Sequence, residues 1–210
     1  MYSINRKNKG EDMKIKVFNN KEIIKRVYDT INQKESNGIV YTGELIGYNF
    51  IFMPVYLNTP LMFAAVIGVE VEGYKVVLVN YKILPEERYN LMEYKGIGIE
   101  VLMHEAGHHI AGIPDINPSD YSGLEDLGKI YLNEEIRVNN IVGADEYTKL
   151  LKDVDPTTPD MINGGINLIL NITTDHYRKI KKLVLESDNP EKYFPGYQEN
   201  FKILDKHHSA

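Results

Sequence analysis

The strongest constraint on the fold is a change in residue pattern near Pro85. Residues 39–84 form runs of β-branched and aromatic side chains that Gly and Pro interrupt, and this pattern is typical of strands. From Pro85 onward, apolar side chains recur at three- and four-residue spacing, as in helices. Because the strand runs follow one another closely, they favour a small, twisted, mostly antiparallel sheet. The sequence therefore predicts an α+β fold in which a helical part follows the sheet.

The apolar runs predict four strands joined by short connections. Glu72-Gly73, flanked by apolar residues, is typical of a hairpin turn. The predicted strands span residues 39–45, 48–56, 62–72 and 74–84.

Helical periodicity predicts one helix before the strands and several after them. The predicted helices span 21–35, 95–112 and 122–143, followed by one or two helices over 160–185, with Gly164-Gly165 as a candidate interruption. After Asn189 the chain is expected to be only loosely helical, and either to pack across the domain or to dangle. Residues 1–15 are expected to form a flexible lead-in, and residues 16–205 a single domain.

Composition excludes several classes of function. The 210-residue chain has no cysteine, which rules out disulfides, thiolate zinc sites and a cysteine nucleophile. Its 24 basic and 30 acidic residues give a net charge of −6, which argues against nucleic acid or anionic lipid as a partner. The start of the chain lacks the apolar core of a secretory signal, and the longest apolar stretch, 61–69, is too short for a membrane helix. We therefore expect a cytoplasmic protein that does not associate with membranes.

One motif carries recognisable chemistry: His104-Glu105-Ala106-Gly107-His108, inside the predicted helix 95–112. Residues four apart lie on one helix face, so both imidazoles can reach one Zn²⁺ at about 2.0–2.1 Å. Glu105 is rotated by about 100° from His104, which suits a general base acting on a metal-bound water. Such a carboxylate takes a proton from the water and delivers it to a leaving amine. The alternative is that both histidines are ordinary helix residues without a metal.

A catalytic zinc site needs a third protein ligand, and residues just after the motif offer a poor one. The position six residues beyond His108 is Pro114, and Asp115 is one place out of register. His109 is rotated by about 100° from His108, so we expect it at the surface or beside a ligand.

The predicted helix 122–143 offers better candidates, Glu134 and Glu135. A carboxylate on an apolar stripe is costly to bury unless something such as a metal ion compensates it. Periodicity does not choose between the two, since Glu134 lies nearer the centre of the stripe. Both can also be solvated.

Taken together, the strands, the His104–His108 motif and the segment Glu135-x-x-Val138-Asn139-x-x-Val142 resemble the gluzincin metallopeptidases. The resemblance is closest to the compact ImmA/IrrE-like group, is more distant to HtpX-like peptidases, and covers about residues 74–151. In those families the second motif is Glu-x-x-Ala-Asp/Asn-x-x-Ala, and its Glu is the third zinc ligand. That register implies Glu135 as the ligand and Asn139 as the side chain that orients a ligand histidine. Valines replace the usual alanines, which implies looser or shifted packing of this helix.

The resemblance implies a zincin-like fold and a zinc-dependent peptidase that binds its polypeptide substrate in extended form along an edge strand. In this interpretation His104, His108 and Glu135 hold Zn²⁺ and Glu105 activates the water. The alternative function is a zinc-binding structural or regulatory module that keeps the fold but not the activity.

The transition state of peptide hydrolysis also needs a donor for the developing oxyanion. Tyr131 and His176 are candidates, with a core aromatic and a structural histidine as their ordinary alternatives. His207 and His208 are expected in a flexible tail, where imidazoles bind metal loosely.

Overall fold

The computed structural model describes residue 13 and residues 15–36, 38–55, 64–80 and 97–208. These residues form five strands, eight α-helices and one short 3₁₀ helix, Pro118–Asp120, so the predicted α+β class is confirmed. The strands are β1 (Lys16–Val17), β2 (Tyr41–Leu45), β3 (Tyr48–Val55), β4 (Ala64–Val71) and β5 (Tyr74–Asn80). The helices are α1 (Lys21–Thr30), α2 (Ile97–Ala111), α3 (Leu124–Val142), α4 (Asp145–Leu151), α5 (Pro159–Ile169), α6 (Thr174–Leu185), α7 (Pro190–Tyr193) and α8 (Tyr197–His208).

The strands form one mixed sheet in the order β1-β2-β3-β5-β4. Three pairings are antiparallel, and the central pairing of β3 with β5 is parallel. The predicted turn at Glu72-Gly73 is confirmed: φ is 53° at Glu72 and 79° at Gly73, the left-handed values that a tight two-residue hairpin requires. The start of the predicted helical part at Pro85 and one end of each of three predicted strands, 48–56, 62–72 and 74–84, lie outside the described residues.

The chain divides into two compact units. Unit 1 comprises Met1–Gly112 and Val138–Leu150, and unit 2 comprises Ile113–Arg137 and Leu151–Ala210. The prediction of a single domain over 16–205 stays a prediction. Residues 1–12 and 14 of the expected lead-in lie outside the described residues, whereas Met13 and Ile15 are buried in unit 1.

In unit 1, helices cover both faces of the sheet. Phe50 and Phe52 of β3 belong to the same core cluster as Leu102 and Ala106 of α2. The alternate residues of β3, among them Ile51, belong to a second cluster with side chains of α1. A strand buried on both faces has no polar side, which explains the near-continuous apolar sequences of β3 and β5.

Unit 2 is helical, and its α5 corrects one prediction. The candidate interruption at Gly164-Gly165 does not occur, since α5 runs unbroken from Pro159 to Ile169. A Cβ at Gly164 would lie 2.3 Å from Cε1 of Tyr131, and one at Gly165 would lie 2.2 Å from the carbonyl oxygen of Leu127. The two glycines therefore allow α5 to approach α3 closely instead of ending the helix.

The C-terminal segment is also more ordered than expected. It forms α7 and α8, and both Phe194 and Phe201 are buried in the core of unit 2. Two short elements, β1 and α4, have no counterpart in the prediction. Among the described residues, none of the helices combines the length and apolar character needed to cross a bilayer.

Candidate metal centre

Helix α2 carries the two histidines of the sequence motif. Its buried side chains, Leu102, Met103 and Ala106, pack in the core of unit 1. Gly112, with φ of 67°, follows the last residue of the helix in the left-handed conformation that commonly ends helices. His104 is 2% exposed, whereas Glu105 and His108 are partly buried.

Asn139 of α3 determines the tautomer of His104. The Nδ1 atom of His104 lies 2.7 Å from Oδ1 of Asn139. An amide oxygen only accepts hydrogen bonds, so Nδ1 carries the proton and Nε2 keeps its lone pair for a ligand. Both side chains are buried, which holds the ring in this orientation.

His108 presents its own Nε2 to the same point. The two Nε2 atoms are 3.1 Å apart, and the rings meet edge to face with centroids 4.6 Å apart. Two ligand atoms at 2.0–2.1 Å from a tetrahedral ion are separated by about 3.3 Å. The imidazole pair therefore fits one metal ion.

Glu135 completes a group of three metal donors. One carboxylate oxygen of Glu135 and one ring nitrogen from each of His104 and His108 all lie within 4.8 Å of one another. The Glu135 side chain is 7% exposed, so its charge is largely removed from solvent. Two imidazoles and a carboxylate are donors that divalent transition metals accept, and this group can hold a metal ion.

The neighbouring carboxylate, Glu134, has a different partner. Its two oxygens accept hydrogen bonds from Nε and Nη2 of Arg137, each at 2.6 Å. The hydrogen bonding that Arg137 donates to the Glu134 carboxylate raises the pKa of the Arg137 guanidinium. The structure thus brings Glu135, and not Glu134, to the histidine pair.

The valines of the second motif do not loosen the packing between α2 and α3, which was one of the two alternatives that they implied. A Cβ at Gly107 would lie 2.7 Å from Cγ1 of Val138 and 2.9 Å from Cγ1 of Val142. The valine methyl groups therefore occupy the space that Gly107 leaves. The helices pack closely rather than loosely, because the missing side chain on α2 compensates for the larger ones on α3.

Two other residues near the motif are separate from the donor group. His109 packs against the sheet: its Nε2 lies 3.1 Å from the carbonyl oxygen of Val76, and its ring centroid lies 5.9 Å from that of Phe50. Burial is the main cause that lowers the pKa of His109. Asp115 is exposed after the end of α2.

The candidate oxyanion donors both have packing roles in unit 2. The ring of Tyr131 lies against Gly164. Buried His176 donates from Nε2 to the carbonyl oxygen of Ile116 at 3.0 Å and accepts at Nδ1 from the hydroxyl of Tyr121 at 3.1 Å. Burial raises the pKa of Tyr121 to about 12, so its hydroxyl stays protonated as a donor.

The two C-terminal histidines lie in α8 rather than in a flexible tail. The ring of His208 stacks on Tyr177 with a centroid distance of 4.3 Å, and its Nδ1 lies 3.4 Å from Oγ1 of Thr174. The expectation of loose tail imidazoles is therefore wrong.

Two residues beside the donor group were missed by sequence reasoning. The ring of Tyr147 meets that of His104 edge to face at 5.0 Å, and the backbone N–H of Tyr147 donates to Oε2 of Glu100 at 2.7 Å. Glu100 precedes His104 by four residues, so helical spacing placed it on the histidine face. No sequence signal pointed to Tyr147.

Comparison with known proteins found no matching family model, no similar curated protein and no similar solved structure.

Proposed function

We propose that this protein is a zinc-dependent peptidase in which His104, His108 and Glu135 hold Zn²⁺. The observation that carries the proposal is the buried convergence of these three donors. Two histidines and a glutamate form a known catalytic zinc set, which leaves the fourth position for water or substrate. When bound, the ion would lower the pKa of a water from about 15.7 toward 7 and would polarise a substrate carbonyl.

The chain itself supplies proton transfer and orientation. Glu105 lies next to His104 on α2, so its carboxylate can accept a proton from the attacking water and return it to the amide nitrogen that leaves. Asn139 keeps the Nε2 lone pair of His104 directed toward the donor group. The Nδ2 group of Asn139 is buried without a hydrogen-bond partner in the described part of the chain. Burying an amide that is only half satisfied is costly, which supports a role for Asn139 in the site.

The proposed substrate is a polypeptide in extended form. Among the described strands, β4 is an edge of the sheet, and α2 packs against it. An edge strand offers backbone groups that can pair with an extended peptide, which supports binding by strand addition. The same proposal includes a zincin-like fold and a relationship to the ImmA/IrrE-like gluzincins.

The metal ligands are tested by metal analysis of purified variants. We expect the unmodified protein to bind one equivalent of zinc, Glu135→Ala to lose it, and the matched control Glu134→Gln to keep it. Loss of zinc from Glu134→Gln together with retention by Glu135→Ala would overturn the assignment.

The reaction is tested with Glu105→Gln on casein and on a peptide library. This variant should keep zinc, and its rate of hydrolysis should fall by about 10²–10⁴-fold, the usual contribution of a general acid–base. Full activity in a zinc-loaded Glu105→Gln protein would contradict the mechanism. Zinc binding without any hydrolysis by the unmodified protein would instead support a structural or regulatory module.

A further inference from the structure

Helix α4 begins without a side-chain cap of its own. It starts at Asp145, directly after Ala144, whose methyl side chain cannot accept hydrogen bonds from the first N–H groups of the helix. The carboxylate of Glu100 takes this role from α2, accepting the backbone N–H of Tyr147 at 2.7 Å. A negative charge at a helix N-terminus is also favoured by the helix dipole.

This contact joins α4 to the metal-ligand face of α2. Glu100 and His104 are one helical turn apart on the same face. When Glu100 caps α4, the ring of Tyr147 lies against His104, with centroids 5.0 Å apart and an interplanar angle of 75°. Tyr147 also packs against the core of unit 1, and Ala144 is fully buried there.

Two contacts with different parts of the α3–α4 segment therefore restrain His104. Asn139 binds Nδ1 and sets the tautomer, and the ring of Tyr147 limits the tilt of the imidazole plane. We infer that Glu100 and Tyr147, here called the Glu100–Tyr147 brace, are positioning residues that hold His104 ready for metal binding. The inference rests on the proposed metal centre and extends it to residues that do not touch the ion.

The test measures zinc affinity of the full chain by competition with a chromophoric chelator. Glu100→Ala and Tyr147→Leu should weaken zinc binding by about 10–100-fold, the usual cost of removing a group that supports a ligand. Glu100→Gln keeps an acceptor oxygen and Tyr147→Phe keeps the ring, so both should bind zinc nearly as tightly as the unmodified protein. Glu146→Ala, an exposed change on the same helix, is the matched control.

A merely structural role is distinguished by urea unfolding of the same variants without metal. If Glu100 and Tyr147 only stabilise the fold, their substitutions would lower the free energy of unfolding but leave the zinc affinity of the folded protein unchanged. That result would overturn the inference. Equal losses of affinity in Tyr147→Phe and Tyr147→Leu would also overturn it, because the hydroxyl rather than the ring would then matter.

The outcomes for the brace and for the proposed function can be told apart. If zinc binding depends on the Glu100–Tyr147 brace but the protein hydrolyses no peptide, the inference about the brace is supported and the proposed peptidase function is overturned. Absence of zinc binding by the unmodified protein overturns both.

Discussion

At the scale of single residues, Glu134 and Glu135 show how two adjacent carboxylates acquire different roles. They are 6% and 7% exposed, so burial does not distinguish them. Successive residues differ by about 100° around a helix, which directs Glu134 to Arg137 and Glu135 to the histidine pair. A buried carboxylate is stabilised when a cation or a hydrogen-bond donor faces it. Glu134 faces the guanidinium of Arg137, and Glu135 faces the histidine pair.

Asp126 allows a residue-scale prediction about pH. It lies in the first turn of α3 and accepts hydrogen bonds from the backbone N–H and hydroxyl of Ser122 and from the N–H of Gly123. Chiefly the Ser122 backbone bond lowers the pKa of Asp126 to about 2 from its ordinary value of 3.8. The ionised form is thus favoured in the folded state, and its stabilisation is present above pH 4 and is lost as the pH falls toward 2.

We expect Asp126→Ala to lower the free energy of unfolding by about 1 kcal/mol at pH 7, as for loss of a helix cap, and by much less at pH 2.5. Urea unfolding in EDTA at the two pH values measures the difference. Asp153→Ala, an exposed change outside the helices, is the control. An equal loss at both pH values would contradict the assigned role of the charge.

At the scale of elements, glycines determine how closely the helices approach. Gly107 faces Val138 and Val142 in unit 1, and Gly164 and Gly165 face α3 in unit 2. A glycine inside a helix costs about 1 kcal/mol relative to alanine. The close helix packing that these positions permit offsets that cost.

The crossing at Gly107 gives an element-scale prediction. Gly107→Ala places a methyl group 2.7 Å from Cγ1 of Val138, so we expect a loss of about 1–3 kcal/mol in the free energy of unfolding from overpacking. Adding Val138→Ala removes the nearer of the two clashing methyl groups, and the double variant should be more stable than the sum of the single effects predicts. A double-mutant cycle by urea unfolding measures the coupling, and strictly additive effects would show that the two positions do not compete for space.

At the scale of the whole molecule, a bound metal should stabilise the folded chain. A ligand that binds only the folded state at 100 times its Kd contributes about 2.7 kcal/mol. For a chain of this size that corresponds to a rise of about 5–10 °C in Tm. We expect zinc to produce this shift in the unmodified protein and not in Glu135→Ala, as measured by thermal unfolding. A similar shift in both proteins would place the bound zinc elsewhere.

Much of the architecture was predictable because it depends on local periodicity. The strand runs, the Glu72-Gly73 turn and α2 follow from hydrophobic spacing and turn chemistry. The parallel pairing of β3 with β5 and the short β1 did not follow, since pairing partners depend on contacts distant in sequence. The pair Gly164-Gly165 was a candidate interruption because local helix propensity does not include contacts with a neighbouring helix.

The sequence by itself determined that His104 and His108 share one helix face, because the α-helical repeat alone brings residues four apart together. Tertiary structure decided the rest of the candidate site: that Glu135 rather than Glu134 reaches the pair, that Val138 and Val142 fit over Gly107, and that Tyr147 lies on His104. These contacts join separate helices. Their geometry depends on how the helices pack, which no periodicity within one segment specifies.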